Sequence, residues 1–265
     1  MKKSFLLLSL WAVSAILFAH EFWILPQKWF TEVGQPVLVQ VRVGENFTGE
    51  PWEAGVSRVI RFFTVLKKTE TNRLETLQKS GLDSLMVRFD QPGTHLVALA
   101  TNSKFIELEA AKFDAYLQED GLEHVRRLRS QAGKSNQPGR ELYRREAASL
   151  VQVGGSPTAV FFEKTGFELQ ILPQQNPLLA DPESEMTFQI RFRGKPLPNA
   201  LVRHWHKSAD GNAAVQFQTA DRRGRVRFRL NAGEQMVSIV HMVPHPEAAE
   251  ADWQSIWGNL TFCLR

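Results

Sequence analysis

Short runs in which apolar and polar residues alternate dominate the chain, and Gly, Pro and Asn bound them. Pro36-Val37-Leu38-Val39-Gln40-Val41-Arg42-Val43-Gly44 reads as a strand ending at a turn, as do Ser84–Phe89 and Thr94–Ala100. Between the last two, Asp90-Gln91-Pro92-Gly93 predicts a hairpin turn, because Pro presets φ and Gly supplies a positive φ. In the second half Met186, Phe188, Ile190 and Phe192 alternate with Thr187, Gln189, Arg191 and Arg193. Arg225 to Leu230 repeats the device, with Arg225, Arg227 and Arg229 on one face and Val226, Phe228 and Leu230 on the other. Period two of this quality predicts antiparallel sheet with one face in water. The arginine face reads as a solvated outer surface in preference to a polyanion patch.

The middle of the chain has a different period. Phe105 to Leu117 and Leu122 to Arg129 carry helical spacing, with Phe113, Tyr116 and Leu117 on one stripe, and Glu119-Asp120-Gly121 breaks the run. Gly133 to Gly139 reads as a polar loop and Glu141 to Leu150 as a further helix. The basic residues from Arg126 to Arg145 read as a solvated helix face. The expected architecture is mainly β, with two tandem β-sandwich domains. Residues 20–165 form the first, with a helical insertion at about 105–150, and residues 166–265 the second.

The N-terminus reads as an export signal over residues 1–19. Lys2 and Lys3 precede an apolar stretch from Phe5 to Ala19, shorter than the ~20 residues of a membrane span. Cleavage after Ala19 makes His20 the first mature residue. Cleavage after Ala15 better fits the preference for a small residue at the −3 position and leaves His20 fifth. Later apolar runs are short, so no membrane span is expected after cleavage. The expected location is the bacterial periplasm or the exterior.

Composition narrows the chemistry. At 43% hydrophobic and 23% charged, the 265-residue chain is an ordinary globular one. Its single cysteine, Cys263, excludes an intrachain disulfide and a thiolate metal cluster. Two of its four net positive charges lie in the signal, so nothing argues for nucleic acid. Among the motifs tested, Gly-x-Ser-x-Gly, a Walker loop, a dinucleotide fingerprint and His-Glu-x-x-His do not occur, so no catalytic residue is assigned.

Histidine is the candidate ligand, with seven in the chain. His204 and His206 share a strand face ~7 Å apart. His241 lies on the face of Val237 and Ile239, with His245 four residues on. At a true N-terminus His20 offers an α-amine and an imidazole, a pair suited to Cu(II) or Ni(II). His95, after the Pro92-Gly93 turn, is the first choice for a third nitrogen and His241 the second. The bland alternative for His204, His206, His241 and His245 is a hydrogen-bonded histidine near a sandwich edge, and for His20 an ordinary polar residue before the aromatic strand Phe22-Trp23-Ile24-Leu25.

Several motifs recur in a recognisable order: His20-Glu21-Phe22-Trp23, Val43-Gly44-Glu45-Asn46-Phe47, Pro92-Gly93-Thr94-His95, Phe113-Asp114-Ala115-Tyr116-Leu117 with Gly121, and Trp253-Gln254-Ser255. Together they resemble the DUF4198 family of exported bacterial proteins over nearly the whole mature chain. His95 departs from the family pattern, which has an aromatic residue such as Tyr there. Gly194-Lys195-Pro196-Leu197-Pro198-Asn199-Ala200 and Thr219-Ala220-Asp221-Arg222-Arg223-Gly224 resemble a carboxypeptidase-regulatory or Cna-B-like sandwich. The family resemblance implies a periplasmic metal-binding accessory of nickel, cobalt or copper handling, with a membrane metal transporter as partner. The sandwich resemblance implies instead a non-catalytic module binding a protein or glycan. A third reading is a copper-dependent oxidative enzyme built on a His20 brace.

Overall fold

The computed structural model describes residues 21–52, 56–80, 84–159 and 165–265. His20 and both candidate signal cleavage sites lie outside the described residues. The chain is mainly β, as its alternation predicts, and its strands form three sheets. The first holds β1 (Glu21–Pro26), β3 (Pro36–Glu45), β4 (Thr48–Pro51) and β7 (Ser84–Arg88). The second, central sheet has ten strands. Eight run in the order β15 (Ala213–Thr219), β14 (Leu201–Lys207), β17 (Gly233–Pro244), β18 (Trp253–Leu264), β10 (Gly139–Val153), β8 (Gly93–Thr101), β5 (Val59–Leu66) and β6 (Thr69–Asn72). The others, β2 (Phe30–Thr31) and β9 (Lys104–Leu108), also pair with β10. The third sheet holds β11 (Leu169–Pro173), β12 (Glu185–Phe192), β13 (Lys195–Pro196) and β16 (Arg225–Arg229). The helices are α1 (Leu74–Ser80), α2 (Ala110–Glu119) and α3 (Glu123–Gln131).

The central sheet is covered on both sides. Val97, Leu99, Ala147 and Val151 pack against Phe22, Ile24, Val37 and Val39 of the first sheet. The opposite face, through Leu96, Ala98, Leu150 and Ile239, packs against Phe188, Ile190, Val226 and Phe228 of the third. All of β8 is therefore buried. Each fully buried Val, Leu or Phe contributes ~1.5–3 kcal/mol, so these two apolar interlayers carry the fold. Farther along the sheet, Phe113, Leu117, Leu122 and Val125 of α2 and α3 pack on Val240, Met242 and Trp253.

Both expected sandwiches therefore share one sheet. β10 and β18 pair in parallel from Glu141↔Trp253 to Ser149↔Thr261, joining strands on either side of residue 165.

Three local expectations are corrected. Glu141 to Leu150 belongs to strand β10, not a helix. Its Glu, Leu, Arg and Ala residues favour helix, but Glu141 to Ser149 pairs with β18 throughout and Glu141 to Tyr143 also with β9, and sheet pairing with burial overrides propensity. Phe105 to Leu108 is likewise strand, and α2 begins at Ala110. At the expected Pro92-Gly93 turn the chain only bends, at Gln91, and Gly93, at φ +145°, already opens β8, so no hairpin forms. β7 pairs with β3 in the first sheet while β8 pairs with β5 and β10 in the central one. Gly224, at φ +71°, similarly turns the chain from β15 of the central sheet to β16 of the third.

Gly139 marks where β10 passes under α2. A Cβ there would stand 2.2 Å from the ring of fully buried Phe113. Gly139→Ala is expected to lower stability by ~1–3 kcal/mol, the range for overpacking a filled core. Denaturant unfolding checks this, and an unchanged midpoint would mean that the Phe113 ring yields freely.

Candidate functional site

The structure disperses most of the predicted histidines. His95 is buried against Phe89 and holds the Gln91 carbonyl through Nε2 at 2.9 Å. Burial pushes its pKa down. His204 points into the core beside Phe228, its Nε2 2.7 Å from Gln235 Oε1. The Gln235 amide nitrogen donates to the Asn231 carbonyl, so its oxygen faces His204 and must accept. The proton therefore sits on His204 Nε2, and burial pushes the pKa down to about 4. His206 Nε2 donates to the Ala232 carbonyl at 2.7 Å. His204 and His206 thus turn these nitrogens to separate acceptors. His245 sits on an exposed turn and accepts from the Glu247 N–H at 3.2 Å. Among the described residues, no group of three or more His, Cys, Asp or Glu is placed to hold a metal ion.

His241 is the predicted residue that acquires a histidine partner, and the partner is His124, which sequence reasoning missed. The two rings lie 5.4 Å apart with planes 22° from parallel. The edge of Phe192 closes the other side of His241 at 4.4 Å. Burial first, then the neighbouring His124, lowers the His241 pKa to about 4, so this imidazole is neutral at physiological pH. His124 Nε2 donates to the Met242 carbonyl at 2.8 Å, which leaves Nδ1 with the lone pair. Both rings line a cleft of about 380 Å³ bounded by Gly121, Leu122, Asn199 and Ala200.

The cleft exists because the α2–α3 turn is pinned to β14. Gly121, at φ +66°, has no Cβ to strike Leu201, which a Cβ would meet at 2.5 Å. One residue earlier, Asp120 Oδ1 takes an ion pair from Arg203 Nη1 at 2.6 Å, both side chains buried. Arg203 Nη2 also donates to the Glu119 carbonyl at 3.0 Å. Arg203 serves a second carboxylate electrostatically, that of Glu21 in β1. Glu21 accepts from Ser238 Oγ at 2.9 Å, and Ser238 Oγ in turn accepts from the Trp205 indole at 3.0 Å.

Two carboxylates share one cation, and the titration reflects it. Burial outweighs Arg203 at both acids, raising Glu21 and taking Asp120 up to about 6. Burial works against the charge on Arg203 too, but Asp120 and Glu21 more than restore it and raise its pKa. Close by, burial lifts Glu141 to about 7, although Ser255 Oγ and Tyr116 Oη both donate to it.

Removing the shared cation gives a signed test. Arg203→Ala should cost ~3–5 kcal/mol at pH 8, where it leaves buried carboxylates unpaired. At pH 5 Asp120 is already largely protonated, since its pKa is about 6, so the deficit should shrink. Thermal melts of both proteins at the two pH values measure it. Equal deficits would show that Arg203 acts through packing.

No curated protein matches the chain. Among solved structures, the D0-D1 domain of intimin is similar at 12% identity and TM-score 0.23, covering 91% of this chain and 97% of that one. A tetra-tandem repeat in the extending region of a large adhesion protein matches at 9% identity and TM-score 0.22, covering 92% and 49%. The family model described as "Domain of unknown function (DUF4198)" matches residues 17–243, which take in Glu21, Asp120, His124, Arg203 and His241, and the chain belongs to that family.

Proposed function

We propose that this protein is an exported metal-binding accessory that holds a divalent transition ion (nickel, cobalt or copper) between His124 and His241. The observation that carries the reading is the prepared state of this pair. His241 is neutral because it is half-buried, and His124 has its proton fixed on Nε2 by the Met242 carbonyl. A ligating histidine commonly has its second nitrogen held in this way, which sets the tautomer and the direction of the lone pair. With metal–nitrogen bonds of ~2.0–2.1 Å, a shared ion requires the two stacked rings to turn so that one nitrogen of each faces it.

Two imidazoles are a small donor set. They leave coordination positions to water, or to the donors of a molecule delivering or receiving the ion. That suits a protein that presents an ion more than one that stores it, and a membrane metal transporter is the partner this reading implies. The signal-like N-terminus supports export, and with it work in the periplasm. Nitrogen donors suit nickel and copper, and affinity at such a site rises from cobalt through nickel to copper.

Calorimetric titration of the mature protein with Co(II), Ni(II) and Cu(II) tests this. The expected result is one site whose affinity follows that order and is lost in the His124→Ala, His241→Ala double variant. His95→Ala and His245→Ala should retain it. Unchanged affinity in the double variant overturns the assignment.

A further inference from the structure

Every sheet has edges, and most in this molecule are blunted. β6 has only four residues, includes Glu70, and is flanked by Lys67, Lys68 and Arg73. β4 contains Glu50 and ends in Pro51, and β13 is the two-residue Lys195–Pro196. β16 displays Arg225, Arg227 and Arg229. The outward Phe22 and Ile24 carbonyls of β1 are taken by Asn259 Nδ2 and Thr261 Oγ1. Charge, proline, shortness and side-chain capping are the usual protections against edge-to-edge pairing.

β15 has none of these. It ends the ten-stranded sheet and, among the described residues, pairs with β14 alone. Its seven residues, Ala-Ala-Val-Gln-Phe-Gln-Thr, contain no charge and no proline. Six of the seven are exposed, and Phe217 is 53% exposed. On the face of Phe217, Val215 joins the cluster of Trp23, Phe47 and Trp205, so the exposed phenylalanine continues a buried apolar surface.

The strand is complementary to itself. Laid antiparallel on a second copy about Gln216, it places Val215 opposite the partner copy's Phe217 and Phe217 opposite its Val215. Gln216 then faces Gln216, and the alanines fall opposite Gln218 and Thr219. The free edge thus meets matched apolar groups in its middle and small or uncharged polar groups at its ends.

We propose that β15 pairs antiparallel with β15 of a second copy, making a two-fold dimer whose central sheets run on as one. A dyad through Gln216 uses up the free edge of both copies, so the assembly closes as a dimer and does not grow into a filament. A single strand pair is a small interface, and the dimer is accordingly reversible and concentration-dependent.

Sedimentation velocity of the mature protein over a concentration series tests it. The parent should shift from monomer to dimer as concentration rises. Gln216→Lys sets two like charges opposite each other across the dyad and should weaken dimerisation roughly tenfold or more. Gln216→Glu should do the same, and an equimolar mixture of the two variants should recover the dimer. Gln216 is exposed, so neither variant should alter the melting temperature of the monomer. A parent that stays monomeric overturns self-pairing and leaves the edge to an extended segment of another protein. A dimer that persists unchanged in Gln216→Lys, or a mixture that fails to recover it, overturns the assignment to β15.

Discussion

One buried cation, Arg203, ties together three remote parts of the chain. Glu21 belongs to the first described strand, Asp120 to the end of α2, and Arg203 to β14 of the second half. Placing such charges out of water costs several kcal/mol each, and their attraction only partly offsets it. An apolar trio could hold these segments at least as strongly. What an ion pair adds is direction. The Asp120 carboxylate and the Glu119 carbonyl both accept from the Arg203 guanidinium, so the end of α2 has one orientation on β14. Gly121 and Leu122 follow immediately, and His124 comes within the first turn of α3. The cleft is in this sense a consequence of the ion pair. The chain reverses where Asp120 is held, and the reversal carries His124 to Met242 and His241.

The central sheet imposes the second constraint. Covered on both faces, it needs apolar residues at successive positions and small ones where layers approach, which Ala98, Ala100, Ala147 and Ala148 supply. The outer sheets do the opposite. On β16 the exposed arginines are each matched to an acid: Arg225 to Asp221, Arg227 to Glu185 and Arg229 to Glu183. Pairs this exposed contribute little to stability. They do leave these three guanidinium groups partnered, which agrees with the solvated outer face that the alternation predicts.

What could be read from the sequence follows from these two environments. β3, β12 and β16 have one face toward the core and one toward water, so a period of two survives and the strands are legible. β10 is buried on both faces over its last eight residues, and the alternation disappears there. What remains is a run of Glu, Leu, Arg and Ala whose local preference is helical, and pairing with β18 decides against it. The change of direction before β8 and the turn before β16 were legible, because Gly93 and Gly224 announce a positive φ. Their partners were not, because a turn between sheets uses the same residues as a turn within a hairpin. His241 stood out by sharing a face with Val237 and Ile239. His124 had no such signal. It sits at the start of a strongly charged helix, and the carbonyl that fixes its tautomer is 118 residues away at Met242. The β15 edge had no local signal either, because its exposure depends on which strands lie beside it.

The buried ionisable groups pull stability in opposite directions with pH, and the balance accounts for how the fold tolerates them. Glu141 and Asp120 have folded pKa values of about 7 and about 6, above the ordinary carboxylate values of 4.5 and 3.8. The stability they contribute is complete below those ordinary values and is lost as pH rises through about 6 to 7. His204 and His241 titrate near 4 in the fold against an ordinary 6.5. Their contribution is complete above 6.5 and is lost as pH falls toward 4. Between about 4.5 and 6 the two effects overlap with opposite sign and largely cancel, so these four groups together do not make the fold steeply pH-dependent there. The histidine of the cleft belongs to this balance. The burial that keeps His241 uncharged and available to an ion at neutral pH weakens the fold in acid, and the carboxyls packed behind the same helical turn work the other way.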